Sequence, residues 1–255
     1  MMAMSSRKSS IRAAKRACLS LALAAPLALA ACGDEVAPAA PDAGIVSVVD
    51  AGSCATPASA RLLPLAVGTT WTYQVTESAG AAPVLKKNTV EAYEDVGGAK
   101  TGTSAFRIRT EKTDGVTVSW QEDRCDSIVR HREQGFSLAQ VMTDDDIYQP
   151  SKMRIDESAA HLVVGATYTT AYSELHTDPT TGATSSKSKV ENWTVEAVDE
   201  DVTVPAGTFK CVRLHKVGAD EGQADKRFWF ARGVGKIKEE GDQLEELASY
   251  TLATP

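Results

Sequence analysis

The chain has little of what active sites are usually built from. Its four histidines, His131, His161, His176 and His215, stand apart. There is no H-x-H, no H-E-x-x-H and no i,i+4 helical pair, so a metal centre has no motif behind it. No C-x-x-C occurs, which removes the usual redox and zinc signatures. No G-x-S-x-G, phosphate-binding glycine loop or dinucleotide fingerprint is present. Asp144-Asp145-Asp146 lacks the spaced pattern of a calcium loop and reads as a solvated acidic turn. Ser186-x-x-Lys189 has serine–lysine hydrolase spacing, but it sits in a polar loop without supporting motifs. These absences leave no catalytic constellation and no cofactor or metal to expect, and the chain is read as a non-enzyme.

Basic clusters are scarce too. Residues 1–31 carry five of the 27 Lys and Arg and none of the 34 Asp and Glu. Without that segment, 22 basic residues face 34 acidic ones, a net charge of −12. The longest basic runs are Arg130-His131-Arg132 and Lys86-Lys87, which any solvated strand or turn can carry. Nucleic acid is therefore not an expected partner. Nor does any stretch beyond the N-terminus hold an apolar stripe at helical spacing.

What is present begins with an address. Arg7, Lys8, Arg12, Lys15 and Arg16 precede the uncharged run Ala17–Ala31, the order of a secretory signal peptide. As a helix that run would reach about 22 Å, short of the ~30 Å needed to span a bilayer. It ends in Leu29-Ala30-Ala31-Cys32-Gly33, which resembles the lipobox of bacterial lipoproteins. The resemblance implies that residues 1–31 are removed and that Cys32 receives the lipid, anchoring the chain to a membrane. In lipoproteins an Asp after the cysteine signals inner-membrane retention. Here Gly33 follows, which favours the outer membrane, although Asp34 stands one place later. Residues 32–60, rich in Ala, Pro, Gly, Ser and Asp, read as a flexible tether.

With Cys18 removed and Cys32 lipidated, Cys54, Cys125 and Cys211 remain in an exported, oxidising compartment. Three single disulfides are possible. Cys125–Cys211 is expected, because both lie in the patterned region while Cys54 lies in the tether.

From Arg61 the pattern has period two. "TWTYQVT" sets Trp71, Tyr73 and Val75 on one face, and "TFKCVRLHKV" alternates Phe209, Cys211, Arg213 and His215 with Lys210, Val212, Leu214 and Lys216. Turn chemistry separates such runs in "DVGGAKTG", "KTDG", "DPTTG" and "VPAGT". "DQLEELASY" suits a helical turn or an edge strand. Residues 61–255 are predicted to be all-β, an antiparallel meander of ten to twelve strands forming a curved sheet or barrel.

The chain also repeats itself. "LAVGTTWT" from Leu65 matches "LVVGATYT" from Leu162, and "TVEAYED" from Thr89 matches "TVEAVDED" from Thr194. Trp120 precedes Ile128 as Trp229 precedes Ile237, by eight residues each. Three collinear matches predict two related halves, 61–157 and 158–255.

The phrases "LLPLAVGTTWTY", "VTVPAGTFKCVRL" and "FWFARGVGKIKEE" resemble those of a group of uncharacterised exported all-β lipoproteins. That resemblance implies fold and address and transfers no catalytic residue. The function to expect is binding, of an apolar small molecule or of an envelope partner protein. Trp71, Trp120, Trp193 and Trp229 are the candidates for an apolar ligand face. The alternative is a structural or interaction module with a solid β core and no cavity.

Overall fold

The computed structural model describes residues 54, 56–77, 80–219 and 225–253. Residues 1–53, which include the signal segment, Cys32 and most of the expected tether, lie outside the described residues.

Twelve strands follow one another. The first six are β1 (Thr70–Thr76), β2 (Val84–Asp95), β3 (Ser104–Glu111), β4 (Gly115–Asp123), β5 (Ser127–Ser137) and β6 (Met142–Asp156). The second six are β7 (Thr167–Thr177), β8 (Thr184–Val204), β9 (Gly207–Gly218), β10 (Asp225–Ala231), β11 (Gly235–Glu240) and β12 (Leu244–Thr251). Each strand pairs antiparallel with its neighbours in sequence, and β12 pairs with β1 to close a barrel. "DQLEELASY" is thus neither a helical turn nor an edge. It supplies β12, which is bonded to β11 and β1 and leaves the sheet no open edge there.

Local chemistry accounts for the strands. On β1 burial alternates strictly, with Trp71, Tyr73 and Val75 buried. The predicted turns sit between strands. Asp95 accepts bonds from the backbone N–H groups of Gly97 and Gly102 at 2.7 and 2.5 Å. Asp178 accepts from Thr180 and Thr181 at 2.8 and 3.2 Å. Such Asx contacts satisfy turn amides that no ladder reaches.

One end of the barrel is plugged by the segment before β1. Leu62 is fully buried, and Leu63 and Leu65 pack against both of the larger apolar clusters. Arg61 pairs with Asp123 at 2.5 Å and Glu157 at 3.1 Å. Glu157 also accepts the N–H groups of Leu62 and Leu63, and Gly233 N–H donates to the Arg61 carbonyl at 2.7 Å. The segment is therefore held to three different hairpin ends.

The expected disulfide is not the one formed. Cys54 is bonded to Cys125, and Cys211 is a buried free thiol. Cys125 lies in the β4–β5 turn, at the end where the plug segment arrives. Cys211 lies within β9, opposite Ala231 and Glu200. Covalent attachment thus begins inside the expected tether.

The matched phrases occupy matching places. Gly68 N–H donates to the Val90 carbonyl at 2.8 Å, and Gly165 N–H donates to Val195 at 2.8 Å. Val90 N–H returns to Thr69, and Val195 N–H returns to Ala166, both at 2.9 Å. Register shifts follow Val90 and Val195, and again follow Trp120 and Trp229. On the outer surface the Trp120 indole N–H donates to Glu94 at 3.0 Å and that of Trp229 donates to Glu200 at 3.1 Å. Arg107 pairs with Glu91 at 2.7 Å, as Arg213 pairs with Glu196 at 3.0 Å. These outward charges are unlike the apolar band of a lipid-facing barrel.

Candidate functional site

Twelve strands enclose more space than the plug fills. Beyond Leu63, Leu65 and Trp71 lies a cavity of about 250 Å³. It extends toward Lys112 in the β3–β4 turn and Gln243 in the β11–β12 turn, and Lys112 is exposed there. Its floor is apolar and its walls are not. Asn88, Thr110, Thr117, Ser119 and Gln121 face it from β2, β3 and β4.

Six basic residues line the cavity, Lys86, Lys112, Arg130, Arg154, Lys226 and Lys236, against three acidic ones, Glu133, Glu239 and Glu245. Each carboxylate is already engaged. Glu133 meets Arg130, and Glu239 meets both Lys236 and Lys226. Glu245 meets Lys236 at 2.6 Å and also Lys86. Burial opposes the charge on Lys236, but Glu239 and Glu245 outweigh it and raise the ammonium's pKa. For Lys86, burial and the neighbouring Lys236 prevail and bring it down to about 8. Arg154 has no ion pair or side-chain hydrogen bond among the described residues, and its Nε is buried without a partner. Burial and then Arg130 lower its pKa.

Beside the cavity lies a second group of charges. Lys152 stands over the rings of Tyr148 and Tyr172 at 5.1 and 5.4 Å. Burial, then Arg130 and Lys216, bring its pKa down to about 8. Glu191 accepts from Lys216 at 2.9 Å and from the Tyr172 hydroxyl at 3.2 Å.

The four tryptophans do not form one apolar face. Ser119 and Gln121 face the cavity, so Trp120 between them points outward, where Arg132 lies over its ring at 5.4 Å. Phe230 faces the cavity, so Trp229 also points outward, beneath Lys238 at 5.0 Å. Trp193 is inside, stacked between Tyr168 and Phe228. Of the four, Trp71 alone lines the cavity, and its indole N–H is committed to the Val234 carbonyl at 2.6 Å. Bending and bulging of β2 and β8 create the outer pockets that Trp120 and Trp229 fill, and alternation alone does not reveal such pockets.

The remaining candidates stay apart. His131, His161, His176 and His215 each meet a carboxylate of their own, Glu122, Asp156, Asp146 and Asp225. In the acidic run, Asp145 holds Arg132 and Asp146 holds His176. Ser186 and Lys189 are three apart on β8 and so point to opposite faces. Among the described residues one Cys and Asp grouping is dense enough for a metal, Cys54, Asp123 and Cys125. Its sulfurs are joined to each other and Asp123 holds Arg61.

The cavity residues themselves escaped the reading of the sequence. Lys86, Arg130, Arg154 and Glu245 are charged residues at strand positions, and in the sequence a charged strand residue reads as solvated. Lys86 in β2 and Glu191 in β8 share a place, each three residues before the matched Thr89 and Thr194.

Fold and site define a class, a closed twelve-stranded antiparallel barrel with a polar, basic interior. No protein-family model matches the chain, and no curated protein matches it. Among solved structures, a protein described as exported, with a YmcC-like fold, from Bacteroides fragilis is 12% identical. Its TM-score is 0.40, and the alignment covers 74% of this chain and 98% of that chain. A protein described as a lipoprotein, from Parabacteroides distasonis, is 11% identical at a TM-score of 0.37, with the same coverage of 74% and 98%. Both similarities are too distant to carry function.

Proposed function

We propose that this chain is an exported lipoprotein, held through lipidated Cys32 in a bacterial outer membrane, whose barrel acts by binding a small molecule in its interior. The address rests on the lipobox. The binding role rests on one observation, a cavity of about 250 Å³ whose polar wall leaves buried groups without partners. A solid module would fill that space or satisfy those groups, so the alternative of a purely structural barrel is the weaker reading. The wall also changes the ligand. A polar molecule suits it, in place of the apolar one that the tryptophans suggested.

The two halves, 61–157 and 158–255, we infer to descend from one six-stranded unit. Supporting this are the equivalent glycine turns, the register shifts after Val90 and Val195, and the equivalent Glu–Arg–Trp clusters.

Native mass spectrometry of the full-length protein, extracted gently from bacterial envelopes, tests both parts. A lipid-modified mass carrying a stoichiometric small ligand is expected, and Cys32→Ala should release the chain from the membrane fraction. A Cys32→Ala variant that stays membrane-bound removes the anchor. Ligand-free protein that no small molecule stabilises removes the binding role.

A further inference from the structure

The cavity wall carries three more basic than acidic residues, inside a chain that is strongly acidic overall. All three carboxylates are spent on other cations of the wall. Arg154 is left with no direct ion pair, feeling Glu239, Glu133 and Glu191 only at longer range, and the Nε atoms of both Arg154 and Arg130 are buried without acceptors. An enclosed cation without a partner is destabilising. Where charge of one sign accumulates in a low-dielectric cleft, it concentrates ions of the other sign.

Building on the binding role argued above, we propose that the cavity binds a small hydroxylated oxyanion, a hydroxycarboxylate or an organic phosphate, with Arg154 as its principal partner. The guanidinium fork matches the oxygens of either group. The second feature of the site is its unpaired amide oxygens. Asn88 Oδ1 and Gln121 Oε1 are buried without donors and belong to residues that line the cavity. They suit ligand hydroxyls. At roughly 30 Å³ per water, the space holds about eight waters, which limits the ligand to a small metabolite. Lys112, exposed at the rim, places a further positive charge on the approach.

The test is thermal unfolding of the full-length protein in detergent, with citrate or glycerol phosphate exchanged against chloride at constant ionic strength. At 100-fold excess over Kd, either probe should raise the midpoint by about 5–10 °C. Arg154→Met should abolish the rise while leaving the ligand-free protein at least as stable, because burial and Arg130 together outweigh the distant glutamates and oppose the charge it removes. If that variant does not fold, Arg154→Lys, which keeps the charge and loses the fork, should bind at least tenfold more weakly. Equal shifts in wild type and either variant overturn the proposal. Native mass spectra of the same sample separate the remaining failures. A bound neutral or apolar molecule overturns the oxyanion and leaves the binding role standing. Neither a bound mass nor a shift with either probe overturns both.

Discussion

At the scale of single residues, the cysteines show how chemistry depends on placement. Cys54 and Cys125 lie 71 residues apart in the chain and join the plug segment to the β4–β5 turn. Closing a loop of that length restricts the unfolded chain, which is worth about 2–4 kcal/mol. Reduction, or Cys54→Ser, should lower the unfolding free energy by that amount in a denaturant titration. An unchanged midpoint would mean that the plug is held by Arg61 and its carboxylates alone. Cys211 behaves differently. Burial, then Glu200 and Asp201, push its thiol up to about 12. A thiol reagent should therefore label no cysteine of the native oxidised protein within the barrel and one after unfolding. The choice of partner for Cys125 was not legible in the sequence, because spacing does not report where a chain end returns in space.

At the scale of elements, the turns that open β1 and β7 are equivalent, and the barrel depends on them differently from the first residue of β11. Gly68 and Gly165 have φ of +96° and +86°, in the left-handed region, and a Cβ there meets nothing closer than 3.4 Å. Gly68→Ala and Gly165→Ala should each cost about 1–2 kcal/mol, from backbone strain alone. Gly235 combines φ of +119° with a Cβ position 2.7 Å from the Trp71 indole nitrogen. Gly235→Ala should cost clearly more and disturb the tryptophan fluorescence. Melting curves of the three variants check this order, and a Gly235 variant as stable as the other two would contradict it. Strands and turns were legible because each is local. On β9, for example, Val212 and Leu214 face inward and Arg213 outward, as alternation expects. The bulges that turn Trp120 and Trp229 into outer pockets were not legible, since they depend on pairing with a neighbouring strand.

At the scale of the whole molecule, the charged interior should shape stability against pH. Burial by itself would raise the carboxyls of Glu133, Glu239 and Glu245. Arg130 for the first, and Lys236 for the other two, outweigh burial and hold all three below the ordinary range. Their stabilisation is complete above the unfolded carboxylate value of about 4.3 and is lost as pH falls below it. Lys86 and Lys152 work the other way. With both near 8 in the folded state, the unfolded chain holds more protons up to about pH 10.4, so stability rises across that interval. Opposing them, burial raises Cys211 and the hydroxyls of Tyr73, Tyr148, Tyr168 and Tyr172. The unfolded chain loses those protons first, so stability falls again above about pH 9–10. Melting midpoints at constant ionic strength should therefore drop below about pH 4, climb between about pH 8 and 9, and turn over near about pH 10. A steady decline from neutrality to pH 9 would rule out lysines 86 and 152 as enclosed charges.

The amino-acid sequence by itself determined the strands and their turns, because alternation, glycine turns and Asx contacts act over a few residues. Closure was decided by the tertiary structure alone, and with it which strand face became the interior. Lys86, Arg130 and Arg154 sit at alternating positions where either face could meet water. Joining β12 to β1 turned their face inward around a space that the apolar plug fills at one end only. A barrel of twelve strands is wider than side chains from its own wall readily fill. The polar cavity follows from that width, which no local stretch of the sequence records.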